Sequence, residues 1–101
     1  MAKVLFTINY EIQADKKDDY FRTIKELKNL IKAEGLESYS VFQVKGKQFR
    51  FEEQFIFSSE EAFENFEEDA DERINILINK INGMTTDHTT KYMTLTEVDL
   101  S

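Results

Sequence analysis

The sequence predicts an α+β domain in which one antiparallel four-stranded sheet carries two helices on a single face, and three observations predict it. Val4, Phe6, Ile8, Tyr10 and Ile12 alternate with more polar residues, the period of a strand with one buried face. Two later stretches repeat apolar residues at helical spacing, and two further alternating runs flank Gly46-Lys47 between them.

The first strand runs from Lys3 to Ile12, with Leu5, Thr7, Asn9 and Glu11 on its second face. Asp15 is placed to cap a helix whose apolar positions are Tyr20, Phe21, Ile24, Leu27, Leu30 and Ile31, and Gly35 supplies a left-handed stop after Glu34. Its other side is lysine-rich. The next strands run from Glu37 to Lys45 and from Gln48 to Phe57, and a two-residue turn at Gly46-Lys47 sets Val44 opposite Phe49, Phe42 opposite Phe51, Ser40 opposite Glu53 and Ser38 opposite Phe55. That register gathers the aromatics on one face and leaves Tyr39, Val41, Gln43 and Ile56 on the other. Ser58 with Glu61 reads as a capping box, after which Phe63, Phe66, Ala70, Ile74, Leu77 and Ile81 step along one side of a single helix ended by Gly83. Tyr92 to Leu100 is β-branched enough for a last strand.

The order βαββαβ, with right-handed crossovers and both helices on one face, is a ferredoxin-like sandwich of strand order 4-1-3-2. At 101 residues it is one domain spanning 1–101. The uncovered sheet face, with Leu5, Thr7, Asn9, Tyr39, Val41 and Ile56, is suited to pairing with the same face of a second copy, because a homodimer removes that apolar area from water.

Composition excludes several classes of function. There is no Cys and one His, so disulfides, thiolate chemistry and multi-His metal sites are ruled out, and neither a metal nor a cofactor is expected. The net charge is −7, made of +3 in residues 1–50 and −10 in residues 51–101. An acidic chain without a basic tail repels phosphate backbones, so neither nucleic acid nor an anionic membrane is an expected partner. The aromatic strand after Lys45-Gly46 is similar to that of an RNA-recognition fold, but its Phe residues fall beneath the helices. No apolar run of 18 residues and no signal-like start is present, so the expected location is the cytoplasm.

The stretch Glu52-Glu53-Gln54-Phe55-Ile56-Phe57-Ser58-Ser59-Glu60-Glu61-Ala62-Phe63-Glu64-Asn65-Phe66 resembles the third strand and following helix of the antibiotic-biosynthesis monooxygenase-like dimeric α/β-barrel proteins. In these a strand ends in an aromatic and S-x-x-A-F opens the helix. The resemblance implies the fold and a dimeric α/β barrel. Its members include cofactor-independent oxygenases, haem-degrading enzymes and proteins without a known activity. The haem-degrading branch uses an Asn, a Trp and a His whose positions here fall near Asn9, Phe66 and Ile76. Neither Phe nor Ile can ligate iron, so that chemistry is rejected.

Glu53 is the sharpest anomaly, a carboxylate in mid-strand between Phe51 and Phe55. Burial raises a carboxyl pKa, and a base so tuned is what proton abstraction from a phenol or an acidic carbon requires. The structural alternative is a bulge that lets Glu53 out, or a hydrogen bond to Ser40. His88, preceded by Asp87 in a loop, is the second candidate catalytic residue, with an exposed loop histidine as its alternative. Phe42, Phe51, Phe55, Phe66 and Ser40 are expected to line a site for a small apolar or aromatic molecule, with Tyr10, Tyr39 and Tyr92 as potential donors. Eight acids between Glu60 and Glu72 suggest divalent cations, though their spacing departs from a calcium-loop pattern, or a docking face for a basic partner, in a non-catalytic interaction module, or a solvated face answered by the lysines of the first helix.

Overall fold

The computed structural model describes residues 2–68 and 71–100. β1 (Val4–Glu11) is followed by a 3-10 turn at Ala14–Lys16 and α1 (Lys17–Leu30); β2 (Leu36–Gln43), β3 (Arg50–Phe57), α2 (Glu60–Glu68), α3 (Glu72–Asn82) and β4 (Lys91–Thr96) complete the chain. The four strands form one antiparallel sheet in the order β2-β3-β1-β4, so the expected fold and strand order hold. Among the described residues no helix is long and apolar enough to cross a membrane.

The alternation of β1 puts Val4 and Tyr10 into the core, with Ile12 just beyond the strand, where they meet Tyr20, Ile24 and Leu27 of α1, Phe51, Phe55 and Phe57 of β3, and Ile74, Leu77 and Ile81 of α3. Every second residue of β3 is buried, as a central strand with one covered face requires.

The hairpin register differs from the expected one by a single residue. Val44 N–H donates to Arg50 O at 2.9 Å, and Lys47 N–H to Val44 O at 3.0 Å. Lys45 and Gly46 therefore occupy the two central turn positions, with Gly46 at φ +83°, where a positive φ is cheap only for glycine. The longer loop pairs Gln43 with Phe51, Val41 with Glu53 and Tyr39 with Phe55, and a slip of one residue moves a whole strand's side chains across the sheet. Tyr39 is consequently buried on the helix side, whereas Phe42 and Ser40 belong to the uncovered face, Phe42 being 52% exposed. A bulge between Leu36 and Ser38 restores the expected register only at Leu36 opposite Phe57.

Other boundaries also move. α1 stops at Leu30, four residues before Glu34, because Ile31 turns extended and buries its side chain. Asp15 makes no capping bond, and Gly35 (φ +82°) serves the turn that leads into β2. The expected single second helix is two. Asp71 takes an extended conformation and accepts from Arg73 N–H at 2.8 Å, capping a new helix. Ser59, rather than Ser58, caps α2 through Ala62 N–H. Ala70 and Asp69 lie outside the described residues. β4 ends at Thr96, and Val98 and Leu100 beyond it are exposed.

α1 packs against α3, where Arg73 pairs with Glu26. The lysines of α1 do not answer the acids of α2: among the described residues Glu60, Glu61, Glu64, Glu67 and Glu68 make no ion pair.

Candidate functional site

Register places Glu53 on the helix side of β3, next to Ile8 of β1 and Val41 of β2. It is 3% exposed. Tyr39 Oη donates to its Oε1 at 2.6 Å and Tyr10 Oη to its Oε2 at 2.7 Å. Tyr10 Oη is also 2.7 Å from Tyr20 Oη on α1; since Tyr10 gives its proton to Glu53, Tyr20 donates to Tyr10. One carboxyl thus ties together β1, β2, β3 and α1, and no bulge releases it to solvent. Its partners are Tyr10 and Tyr39 in place of the expected Ser40.

Burial pushes the Glu53 carboxyl above its ordinary value, and the hydroxyls of Tyr39 and Tyr10 pull it part of the way back. Burial likewise raises all three tyrosines, reinforced by the adjacent carboxyl charge. They stay protonated as donors at neutral pH. Two hydrogen bonds leave part of the carboxylate's acceptor capacity for a further donor.

The site residues expected from sequence separate into two groups. Phe51, Phe55 and Glu53 are together under the helices: Phe51 packs on Tyr20 at 4.9 Å between ring centres, and Phe55 on Tyr39 at 4.8 Å. Phe66 reaches the same layer through Phe55 at 5.8 Å and lines a cleft of about 500 Å³ with Ala62 and Ile74. Phe42 and Ser40 lie on the opposite side of the sheet. His88 sits in the exposed loop before β4, at φ +64°, and makes none of the contacts of Glu53. Among the described residues no cluster of three or more His, Cys, Asp or Glu is placed to hold a metal ion.

One feature was only partly visible in sequence. The helices leave the helix-side residues of β4 in the open, and Tyr92 is 63% exposed. Tyr92 stacks on Phe6 at 6.2 Å and 13°, and Phe6 meets Phe63 of α2 at 5.4 Å. Tyr92, Ile8 and Glu53 lie in one row across β4, β1 and β3. Strand spacing puts the two ends of that row about 10 Å apart, with half-buried Ile8 between them. This is an aromatic shelf open at one side and backed by the buried carboxyl. The alternation of β1 signalled Phe6 and Ile8; the exposure of β4 had no signal.

No protein-family model and no curated protein sequence matches the chain. Solved structures do. A conserved protein from Methanosarcina mazei Go1 superposes with a TM-score of 0.80 at 14% identity, covering 94% of this chain and 92% of that one. Proteins provisionally named antibiotic biosynthesis monooxygenases from Deinococcus radiodurans and Bordetella bronchiseptica give TM-scores of 0.78 and 0.77. Their identities are 13% and 9%, with coverage of 97% and 98% of this chain and 94% and 100% of theirs. The chain has the fold of the antibiotic biosynthesis monooxygenase-like proteins.

Proposed function

We propose that the protein binds a small, largely apolar or aromatic molecule between its sheet and helices, with Glu53 as the polar group of the site. The observation that carries this reading is the row Tyr92, Ile8, Glu53: an aromatic shelf open to solvent at one end and a buried, proton-hungry carboxyl at the other. The ligand's ring lies on Ile8 against Tyr92 and Phe6, under Phe63, and its phenol or acidic C–H faces Glu53. The monooxygenase names of the structural neighbours agree with chemistry that begins by removing such a proton. Phe51, Phe55 and Phe66 shape the layer behind the shelf. Phe42, Ser40 and His88 have no part in it.

A panel of monocyclic and bicyclic phenols, 1-naphthol among them, tests this by methyl NMR. Saturable shifts of the Ile8 methyl are expected, and Tyr92→Ala should weaken binding at least fivefold while leaving the melting temperature nearly unchanged, since Tyr92 is mostly exposed. An Ile8 methyl that no member of the panel moves would remove the site.

The working unit of this proposal is a homodimer through the uncovered sheet face, where Leu5, Phe42, Ile56, Met93 and Leu95 gather. Phe42, Met93 and Leu95 are each 45% exposed or more, an apolar area that a second copy would cover. Sedimentation equilibrium should show a dimer whose dissociation constant rises at least tenfold in Leu95→Asp. A wild-type chain that sediments as a monomer would overturn this part.

A second reading rests on α2. Its unanswered acids offer a basic partner a charged helix face, as an interaction module would.

A further inference from the structure

Tyr20 belongs to the carboxyl–tyrosine cluster without touching its carboxyl. It is fully buried on α1, its ring held against Phe51 at 4.9 Å and edge-on to Tyr10 at 5.7 Å between ring centres. Among the described residues its hydroxyl has one hydrogen-bonding partner, Tyr10 Oη at 2.7 Å. Tyr10 has a single proton and commits it to Glu53 Oε2, so the O–H groups of Tyr20 and Tyr10 both point along the chain toward the carboxyl. Hydrogen bonds in series polarise one another: an oxygen that accepts becomes a stronger donor, most of all when the final acceptor is charged. Tyr39 has no such support. Its hydroxyl donates to Oε1 at 2.6 Å and accepts no hydrogen bond among the described residues. The polar groups that face Glu53 are thus Tyr10 from β1, Tyr39 from β2 and, one step removed, Tyr20 from α1. Its neighbours across the sheet, Ile8 and Val41, are apolar, as are the buried residues of α2 and α3, and Lys28 of α1 reaches the Tyr39 carbonyl instead.

Resting on the reading of Glu53 as the base of the site, we propose that Tyr20 is a positioning residue for it: acting through Tyr10, it fixes Tyr10 as a donor and sets how readily Glu53 takes up a proton. With Tyr20 in place the ionised carboxyl, the form that accepts a ligand's proton, is favoured. A shift of α1 that parts Tyr20 from Tyr10 makes Glu53 harder to ionise. The strength of the base is thereby coupled to the seat of α1 on the sheet, although α1 brings no group of its own to the carboxyl.

Carbon NMR titration of the Glu53 carboxyl in Tyr20→Phe, in Tyr10→Phe and in the double variant tests the proposal without any ligand. Tyr20→Phe keeps the ring and its packing and leaves the Tyr10 proton on Glu53, so the fold is retained. Its midpoint should lie above that of the wild type by about 0.3 pH units or more, and that of Tyr10→Phe should lie higher still. In the Tyr10→Phe background, Tyr20→Phe should add less than half of what it adds alone, because the chain is already cut. A midpoint that stays put or falls in Tyr20→Phe, even with a lower melting temperature, would reduce Tyr20 to packing and overturn the proposal. Equal shifts in the two backgrounds would overturn it as well, since Tyr20 would then act on the carboxyl directly through space. A wild-type midpoint at or below 4.5 would remove the base and this role with it, whereas a raised wild-type midpoint that ignores Tyr20 would remove this role alone.

Discussion

Glu53→Ala is expected to destabilise the protein by about 2–4 kcal/mol, the range for leaving buried polar partners unsatisfied and opening a cavity in a packed core. Tyr39 would lose the acceptor at 2.6 Å and Tyr10 the one at 2.7 Å, and both hydroxyls are buried too deeply for bulk water to replace it. Glu53→Gln should cost only about 1 kcal/mol, because an amide oxygen still accepts from one tyrosine while the amide nitrogen donates to the other. A third variant, Glu53→Met, separates roles, because it keeps most of the volume and removes both acceptors. A carboxyl that merely filled space would lose little in Met, and a carboxyl that organises three tyrosines loses stability in Met as it does in Ala. Urea unfolding of the four proteins reads the difference directly.

Gly35→Ala is the second large effect. Gly35 sits at φ +82°, and a β-carbon there would stand 2.4 Å from Ala62 Cβ and 3.1 Å from Ser58 Oγ. The left-handed conformation alone costs an alanine about 1 kcal/mol, and the collision with α2 adds to it. The sum, about 2–3 kcal/mol, should lower the melting temperature by roughly 8–20 °C in a domain of this size. Gly46→Ala isolates the conformational part: Gly46 has nearly the same φ, +83°, with nothing within 4 Å, so only about 1 kcal/mol is expected. Equal losses at the two glycines would mean that the turn before β2 does not press against α2 in solution.

The elements, their order and the helix-covered face of β1 were legible because each rests on a period that one sequence carries by itself. The register of β2 was not, because it hangs on which two residues take the turn. Reading Gly46-Lys47 as the turn sent Phe42 inward and Tyr39 outward; Lys45-Gly46 does the reverse. A signal was available in β2 itself, where Ser38 and Ser40 alternate with Tyr39 and Val41, and weighing it would have set Tyr39 beside Glu53. The break between α2 and α3 was hidden since Phe63, Phe66, Ile74, Leu77 and Ile81 keep helical spacing across it, and only the Asp71 cap betrays a restart. Glu53 was found by its anomaly, a charge among phenylalanines; its tyrosine partners come from three different elements and needed the tertiary structure. The positive φ of His88 and the bare helix side of β4 are likewise products of packing.

The acid–base reading of the site requires a carboxyl that holds its proton more tightly than an exposed one. A group raised in the folded state contributes stability that is present below its ordinary value of 4.5 and is lost as pH rises through the folded value. The difference in unfolding free energy between wild type and Glu53→Gln should therefore fall with rising pH from that point. The direct measurement is the titration of the Glu53 side-chain carboxyl by carbon NMR in glutamate-labelled protein. The expected result is a midpoint clearly above 4.5, moved higher still in Tyr39→Phe, which removes a hydrogen bond that favours the ionised form. A midpoint at or below 4.5, unmoved by Tyr39→Phe, would contradict the buried carboxyl–tyrosine network and the proposed site with it.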